Sequence, residues 1–413
     1  MPYIIGIGST KFGKHPDRSF RELAKDAVQA AMNDVQHIQS PQSIYFGNCA
    51  MHAFGQANIR GQTVLHPLFQ EGLIQKNTPV TNIEAGCATG GASFHAALQS
   101  LHQNDFSMAI GVEKLLFPDD PKMLKSFPLF ADGIDRKNKE EWMTFYKEQS
   151  QKHSLPFSPH PYRIIFLDIH AMQAHSSIKK GHCTQENIAQ VAAKNHNNSV
   201  HNPRAQYRFP MTPQQVLEDR KIITPFTRSM CAPVSDGAAA VLLCSDSAFA
   251  KLPQNIQKRS VQILSCAMSG GSMRDQNEAS VTFHAGQKAF SQTSITPRDI
   301  NIAEVHDSTA HCELKHMESL QLCEKAGILI QEGTTQRTGN LPINASGGLI
   351  SKGHPLGATG IGQLFELTTQ LRGEGEDIQV EHMPTYALAH NAGGMVGFDE
   401  ALSVVSILRR VSS

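Results

Sequence analysis

The hydrophobic pattern opens with a short apolar run, YIIGIG (3–8), whose length predicts a buried strand and whose glycines mark a backbone that something else approaches closely. A helix should follow. Ser19, with Glu22 three residues on, forms a capping box, and Phe20, Leu23, Ala24, Ala27, Val28 and Ala31 recur on one face at 3.6-residue spacing. TPVTNIEA (78–85) and FSMAIGVEK (106–114) read as strands flanking a helix at GGASFHAALQSL (90–101). This alternation predicts a mostly parallel sheet covered by helices.

From Val261 the pattern begins again. VQILSCAM (261–268) is a buried strand, VTFHAGQKAF (281–290) is helical, and INIAEVHD (300–307) is a strand leading into a helix at 309–320. Residues 344–371 are glycine-rich and then helical, as 85–101 are, and each half closes on a small-residue, β-prone run at 235–245 and 397–408. The chain therefore reads as a duplicated α/β unit. Residues 116–204 fit neither half: they hold FPDDPKM, a charged run from Asp135 to Lys147, and SLPFSPHPYR. They are either a lobe over the sheet or a surface insertion without function. The resulting boundaries are 1–115 and 205–255 for the first half, 116–204 for the insertion, and 256–413 for the second half.

Composition narrows the function. Thirty-seven Lys and Arg balance thirty-seven Asp and Glu, so no overall field attracts nucleic acid or an anionic membrane. An anionic ligand would need a local pocket. No segment approaches the ~20 apolar residues of a membrane span. The N-terminal pattern is not that of a secretory signal, RRVSS at the end is not of the SKL type, and the eight cysteines include no C-x-x-C pair. Reduced thiols and a cytoplasmic protein are expected.

Four loops gather chemistry. In EAGCATGG (84–91), Cys87 lies between a strand and a helix among residues too small to block it. A helix N-terminus would lower its pKa, and nearby N–H groups could hold an oxyanion. In SKGHPLGATG (351–360), His354 is presented as a general base, the helix beginning near Thr359. In EVHDST (304–309), a strand presents His306 at its end, while Asp307 is expected only to cap the next helix. In AHNAGGMVG (389–397), His390 and Asn391 precede Gly393 and Gly394, which permit an oxyanion-binding backbone.

Together with SDGAAA (235–240), these motifs resemble the thiolase family across nearly the whole chain, and more closely its sterol-carrier-protein-2 branch. The resemblance implies two βαβαβαββ halves in a five-layer αβαβα sandwich with an inserted loop domain. It implies an acyltransferase acting on coenzyme A thioesters as a homodimer or homotetramer, acyl-CoA being substrate and no cofactor permanently bound. Carried over by motif, Cys87 is the acylated nucleophile and His354 its base. His354 and, through a water, His306 bind the first thioester oxygen, and the N–H groups of Cys87 and Gly393 form the second oxyanion site. The chain departs from the family where a second cysteine should serve as the α-proton acid/base: one such position holds Asn391, the other Ser308. Neither carries protons well near neutrality. Cys312, one helical turn beyond Ser308, is a possible substitute. Acyl transfer to Cys87 is thus better supported than the carbon–carbon step. The first reading is still a thiolase that condenses acyl-CoA units or cleaves a 3-oxoacyl-CoA, with two alternatives: transfer to a non-CoA acceptor with partner subunits, and a non-catalytic acyl-CoA or lipid binder. A metal held by Cys87, His306, His354 and His390 has no local ligand pair behind it, so no metal is expected.

Overall fold

The computed structural model describes residues 1–36, 39–116, 134–135, 137–160, 163–275 and 277–411. FPDDPKM therefore lies outside the described residues. The first half supplies strands β1 (Tyr3–Ser9), β2 (Ser43–Gly47), β3 (Val80–Ile83) and β4 (Phe106–Glu113) with helices α1 (Phe20–Asp34), α2 (Arg60–Gln70) and α3 (Thr89–Ser100). The following segment carries α4 (Lys139–His153), α5 (Ile165–Lys179), α6 (Gln185–Ser199) and a small hairpin of β5 (Lys221–Ile223) and β6 (Phe226–Thr227). Strand β7 (Gly237–Cys244) then returns to the first half. The second half holds β8 (Val261–Gly270), α7 (Val281–Ser291), β9 (Ile302–Glu304), α8 (Ala310–Ser319), α9 (Leu356–Arg372), β10 (Tyr386–Gly393) and β11 (Leu402–Arg410).

Ser19 and Glu22 close the expected capping box on α1, and its apolar face is buried as the periodicity predicts. The glycines of β1 are needed because α1 lies on them: a Cβ on Gly8 would stand 2.1 Å from the Ala27 carbonyl oxygen. Among the described residues, nine strands run in the order β3-β2-β4-β7-β1-β8-β11-β10-β9. Within the sheet the halves join where Tyr3 and Ile4 pair with Gln262 and Val261. The sheet is not mostly parallel, contrary to expectation. Parallel pairing is confined to β3-β2-β4 and β10-β9, whereas β7, β1, β8 and β11 run antiparallel to their neighbours. Right-handed βαβ crossovers produce parallel neighbours, and the closing strand of each half is laid in against that direction.

Burial separates three apolar layers. Leu23 and Val28 of α1, with Leu65 and Leu68 of α2, cover Ile44, Met108 and Leu242. Phe94 of α3 and Ile361 and Leu364 of α9 fill the centre between Val241 of one half and Val404 of the other. Leu314 and Met317 of α8, with Ile188 of α6, cover Leu388 and Ile407. Helix, sheet, central helices, sheet and helix make the five layers.

The duplication is visible with one contraction. Where the first half has β3 beside β2, the second has a single parallel bridge from Ile343 to Ala303. Helices α4 and α5 pack Tyr146 and Ile169 against Met395 and Phe398 of the β10–β11 connection. Tyr146 Oη donates to the Gly397 carbonyl at 2.9 Å and Gln173 Nε2 to that of Phe398 at 2.8 Å. This lobe thus closes over one end of the sheet.

Candidate active site

All four loops converge at that end. Cys87 sits two residues before α3, and His354 two residues before α9, at equivalent places in the two halves. Helix α9 begins at Leu356, earlier than the Thr359 expected. The Cys87 sulfur and one ring nitrogen each of His306 and His354 lie within 4.8 Å of one another, and the two rings stand nearly perpendicular, 5.1 Å apart. The three potential metal ligands are therefore assembled by the fold although no local spacing suggested them. His390 is not among them: its Nδ1 faces the His306 backbone N–H, and its Nε2 lies 3.0 Å from Thr282 Oγ1.

The two histidines present opposite faces. Thr359 donates its hydroxyl proton to the Pro355 carbonyl, so its oxygen receives the Nδ1–H of His354 at 2.7 Å. That leaves His354 Nε2 without a proton and with no partner. Asn391 Oδ1 accepts from the Gly91 N–H at 2.9 Å, which orients the amide so that Nδ2 donates to the Cys87 carbonyl and to His306 Nδ1. His306 must then carry its proton on Nε2. One imidazole is arranged to accept a proton and the other to donate a hydrogen bond. Burial keeps both neutral, lowering His354 to about 3 and His306 well below its ordinary value, the latter helped by the neighbouring His354 and His390.

Cys87 does not have the lowered pKa expected of a thiol at a helix N-terminus. Burial, then the negative field of Glu113, push it up to about 12, although the N–H groups of Cys87 and Gly394 pull the other way. The resting sulfur is a protonated thiol. The N–H groups reaching the sulfur are thus its own and that of Gly394. Gly393 has a steric duty: a Cβ there would lie 2.4 Å from Cys87 N and 2.1 Å from Ala88 N.

Supporting contacts explain other motifs. Ser235 of the SDGAAA run accepts the His354 N–H at 2.9 Å. Asp307 is not a helix cap, since α8 begins after Thr309. Its buried carboxylate accepts from Leu349 N–H at 2.7 Å and from Asn195 Nδ2 at 2.8 Å, tying the HD loop to the segment before His354. Two contributors escaped the sequence reading. Glu113, at the end of β4, accepts the N–H groups of Cys49, Ala50 and Gly357, and burial lifts its carboxyl to about 7. Cys49 lies beside the nucleophile, its sulfur 2.9 Å from the Gly86 carbonyl. The available signal was position: each stands at or just after the C-terminal end of a parallel strand.

Cys49, Cys87, His306, His354 and Gly393 line a cavity of about 840 Å³, with Ile164, Phe166 and Leu167 of the inserted lobe forming an apolar wall and His170 and Ser308 opening into it.

The thiolase N-terminal domain family matches residues 3–224, and the thiolase C-terminal domain-like family residues 266–409. The chain belongs to the thiolase family. It is 32% identical over 404 residues to an acetyl-CoA acetyltransferase of Methanothermobacter thermautotrophicus, covering 95% of this chain and 96% of the other. It is 31% identical over 405 residues to sterol carrier protein 2 of Bos taurus, covering 95% of this chain and 70% of that one. A solved Ltp2-ChsH2(DUF35) aldolase shares the thiolase fold with a TM-score of 0.70 at 18% identity, covering 99% of this chain and 97% of that one. This thiolase is an acyltransferase, and among its described residues no helix is long and apolar enough to cross a membrane.

Proposed function

We propose that the chain acts on coenzyme A thioesters through an acyl-enzyme on Cys87, joining two acyl units or splitting a 3-oxoacyl-CoA. The observation that carries this is the opposed protonation of His354 and His306 around one thiol. As the sulfur attacks a thioester carbonyl, His354 Nε2 takes the S–H proton, so the thiolate exists only while substrate is present. The tetrahedral oxygen receives the N–H groups of Cys87 and its glycine neighbours. Collapse expels coenzyme A as thiolate, which leaves with the proton from His354. The carbonyl oxygen of a second thioester then lies against His306 Nε2–H. The reading includes a homodimer or homotetramer in the cytoplasm, supported by eight free cysteines and the family resemblance.

A second reading, acyl transfer to a non-CoA acceptor, draws on Asn391, whose amide is fully occupied and cannot move a proton. The deciding measurement is intact-protein mass after brief incubation with acetyl-CoA. Natural protein should gain one acetyl group and Cys87→Ala none. An adduct on both would overturn Cys87 as nucleophile, and none on either would favour the non-catalytic binder. Acetoacetyl-CoA formed by the natural protein would exclude the second reading.

A further inference from the structure

The carbon–carbon step needs a group that takes a proton from the α-carbon of the second acyl-CoA, and neither Asn391 nor an isolated serine can do so. Behind Ser308 the structure holds a buried pair. Cys312 Sγ lies 3.6 Å from His170 Nδ1, 3.6 Å from Ser308 Oγ, which donates to it, and 3.2 Å from Thr309 Oγ1. Cys312 has no exposed surface, whereas Ser308 and His170 both face the cavity that holds Cys87. The Ser308 carbonyl is fixed by the Ala232 N–H at 3.0 Å, so the hydroxyl is held between cavity and sulfur.

We propose that Ser308 and the Cys312–His170 pair together form the α-proton relay of this thiolase, in place of the second cysteine that the family resemblance implies. The inference rests on the acyl-enzyme reading above. In condensation the α C–H bond breaks, its proton passes to Ser308 Oγ, and the serine's own proton passes to the Cys312 thiolate. The released electron pair forms the new bond to the acyl carbon on Cys87, and the Cys87 C–S bond breaks with its electron pair left on sulfur. This thiolate takes up a proton from water through His354 while Cys312 gives its proton up to water, which restores both to their starting states. Cleavage runs the same path backwards, with Cys312 returning the proton. No oxidant or further reactant is required.

Electrostatics agree with this geometry. Burial pushes the Cys312 thiol up, but the charge and hydrogen bond of His170, with Lys315 behind them, hold it down at about 6. Burial alone would lower His170, yet Cys312 and Glu400 raise it. Of the other groups around the pair, Lys315 and His311 share its helix, Cys231 faces it from the segment before β7, and Glu400 binds Lys315 at 2.7 Å. Elsewhere burial without such a partner leaves Cys231, Cys244 and Cys266 at about 12.

The test separates two partial reactions of the full-length protein. Exchange of the methyl hydrogens of acetyl-CoA in D2O reports α-proton transfer, and intact mass reports acylation of Cys87. Cys312→Ser should still take up the acetyl group, showing that it is folded, while its exchange falls at least about 100-fold. In natural protein, exchange should fall as pH drops below about 6, as the thiolate is protonated. His170→Gln should move that limb upward toward the value of an ordinary thiol, which a merely structural histidine would not do. The ultraviolet thiolate absorbance of natural protein at neutral pH should also disappear in Cys312→Ser. Undiminished exchange in Cys312→Ser, or an unmoved limb in His170→Gln, would overturn the relay and leave the acyl-enzyme intact. Loss of acylation in natural protein would instead overturn the acyl-enzyme reading.

Discussion

At the residue scale, the site is determined as much by where hydrogens sit as by which side chains are present. His354 can serve as a base only while Thr359 Oγ1 receives its Nδ1–H. Thr359→Val keeps the shape and removes that acceptor, so the ring loses its fixed tautomer. We expect turnover to fall on the order of tenfold to a hundredfold with little change in thermal stability, read from steady-state kinetics beside a melting curve. Asn391 plays the matching part for His306. Because its amide also holds the Gly91 N–H and the Cys87 carbonyl, Asn391→Cys should slow acylation of Cys87 rather than restore family-type condensation. Time-resolved mass measurement would show this, and faster acylation would contradict it. The residue types Cys87, His306 and His354 were legible in the sequence. The partners that set their protonation were not, because Asn391 and Gly91 come from separate parts of the chain and meet only in the fold.

At the scale of elements, β4 ends in a carboxylate that stitches three segments together. Glu113 takes N–H groups from the loop after β2 and from the turn that starts α9, and it also receives Asn48 Nδ2. Its carboxyl titrates at about 7 when folded and at its ordinary 4.5 when unfolded, because burial disfavours the charge. The folded state therefore holds a proton that the unfolded chain has lost. The stability this group contributes is complete below about 4.5 and declines as pH rises towards 7, by about 3 kcal/mol across the window. Unfolding by denaturant at several pH values should show that decline as a difference between natural protein and Glu113→Gln. Parallel curves would refute it. Element types came through well where periodicity was strong, as in α1 and the central helices. The sheet was misjudged because apolar runs reveal burial but not strand direction. Strand β2 was missed because SIYFG is too short to stand out. The lobe helices were missed because α4 is polar on most faces, and α5 and α6 bury residues such as His170 and Asn195 that read as surface.

At the scale of the molecule, the two halves each deliver one loop to a shared centre, and the central helices hold those loops together. A Cβ on Gly90 of α3 would stand 2.8 Å from Gly360 N of α9, so any side chain there would part the layer. The duplication was legible because both halves repeat the same order of strand, loop and helix. Its contraction to a bridge at Ile343 was not, since a strand of one paired residue leaves no pattern.

The placement of Cys87 and His354 on opposite halves has a consequence for the making of the protein. A ribosome that has released only the first half has produced the nucleophile without its base, and β10, made much later, brings the amide and glycine that complete the pocket. A chain that holds only the first half thus has a thiol with nothing to take its proton, and the pocket is complete only when β10 docks.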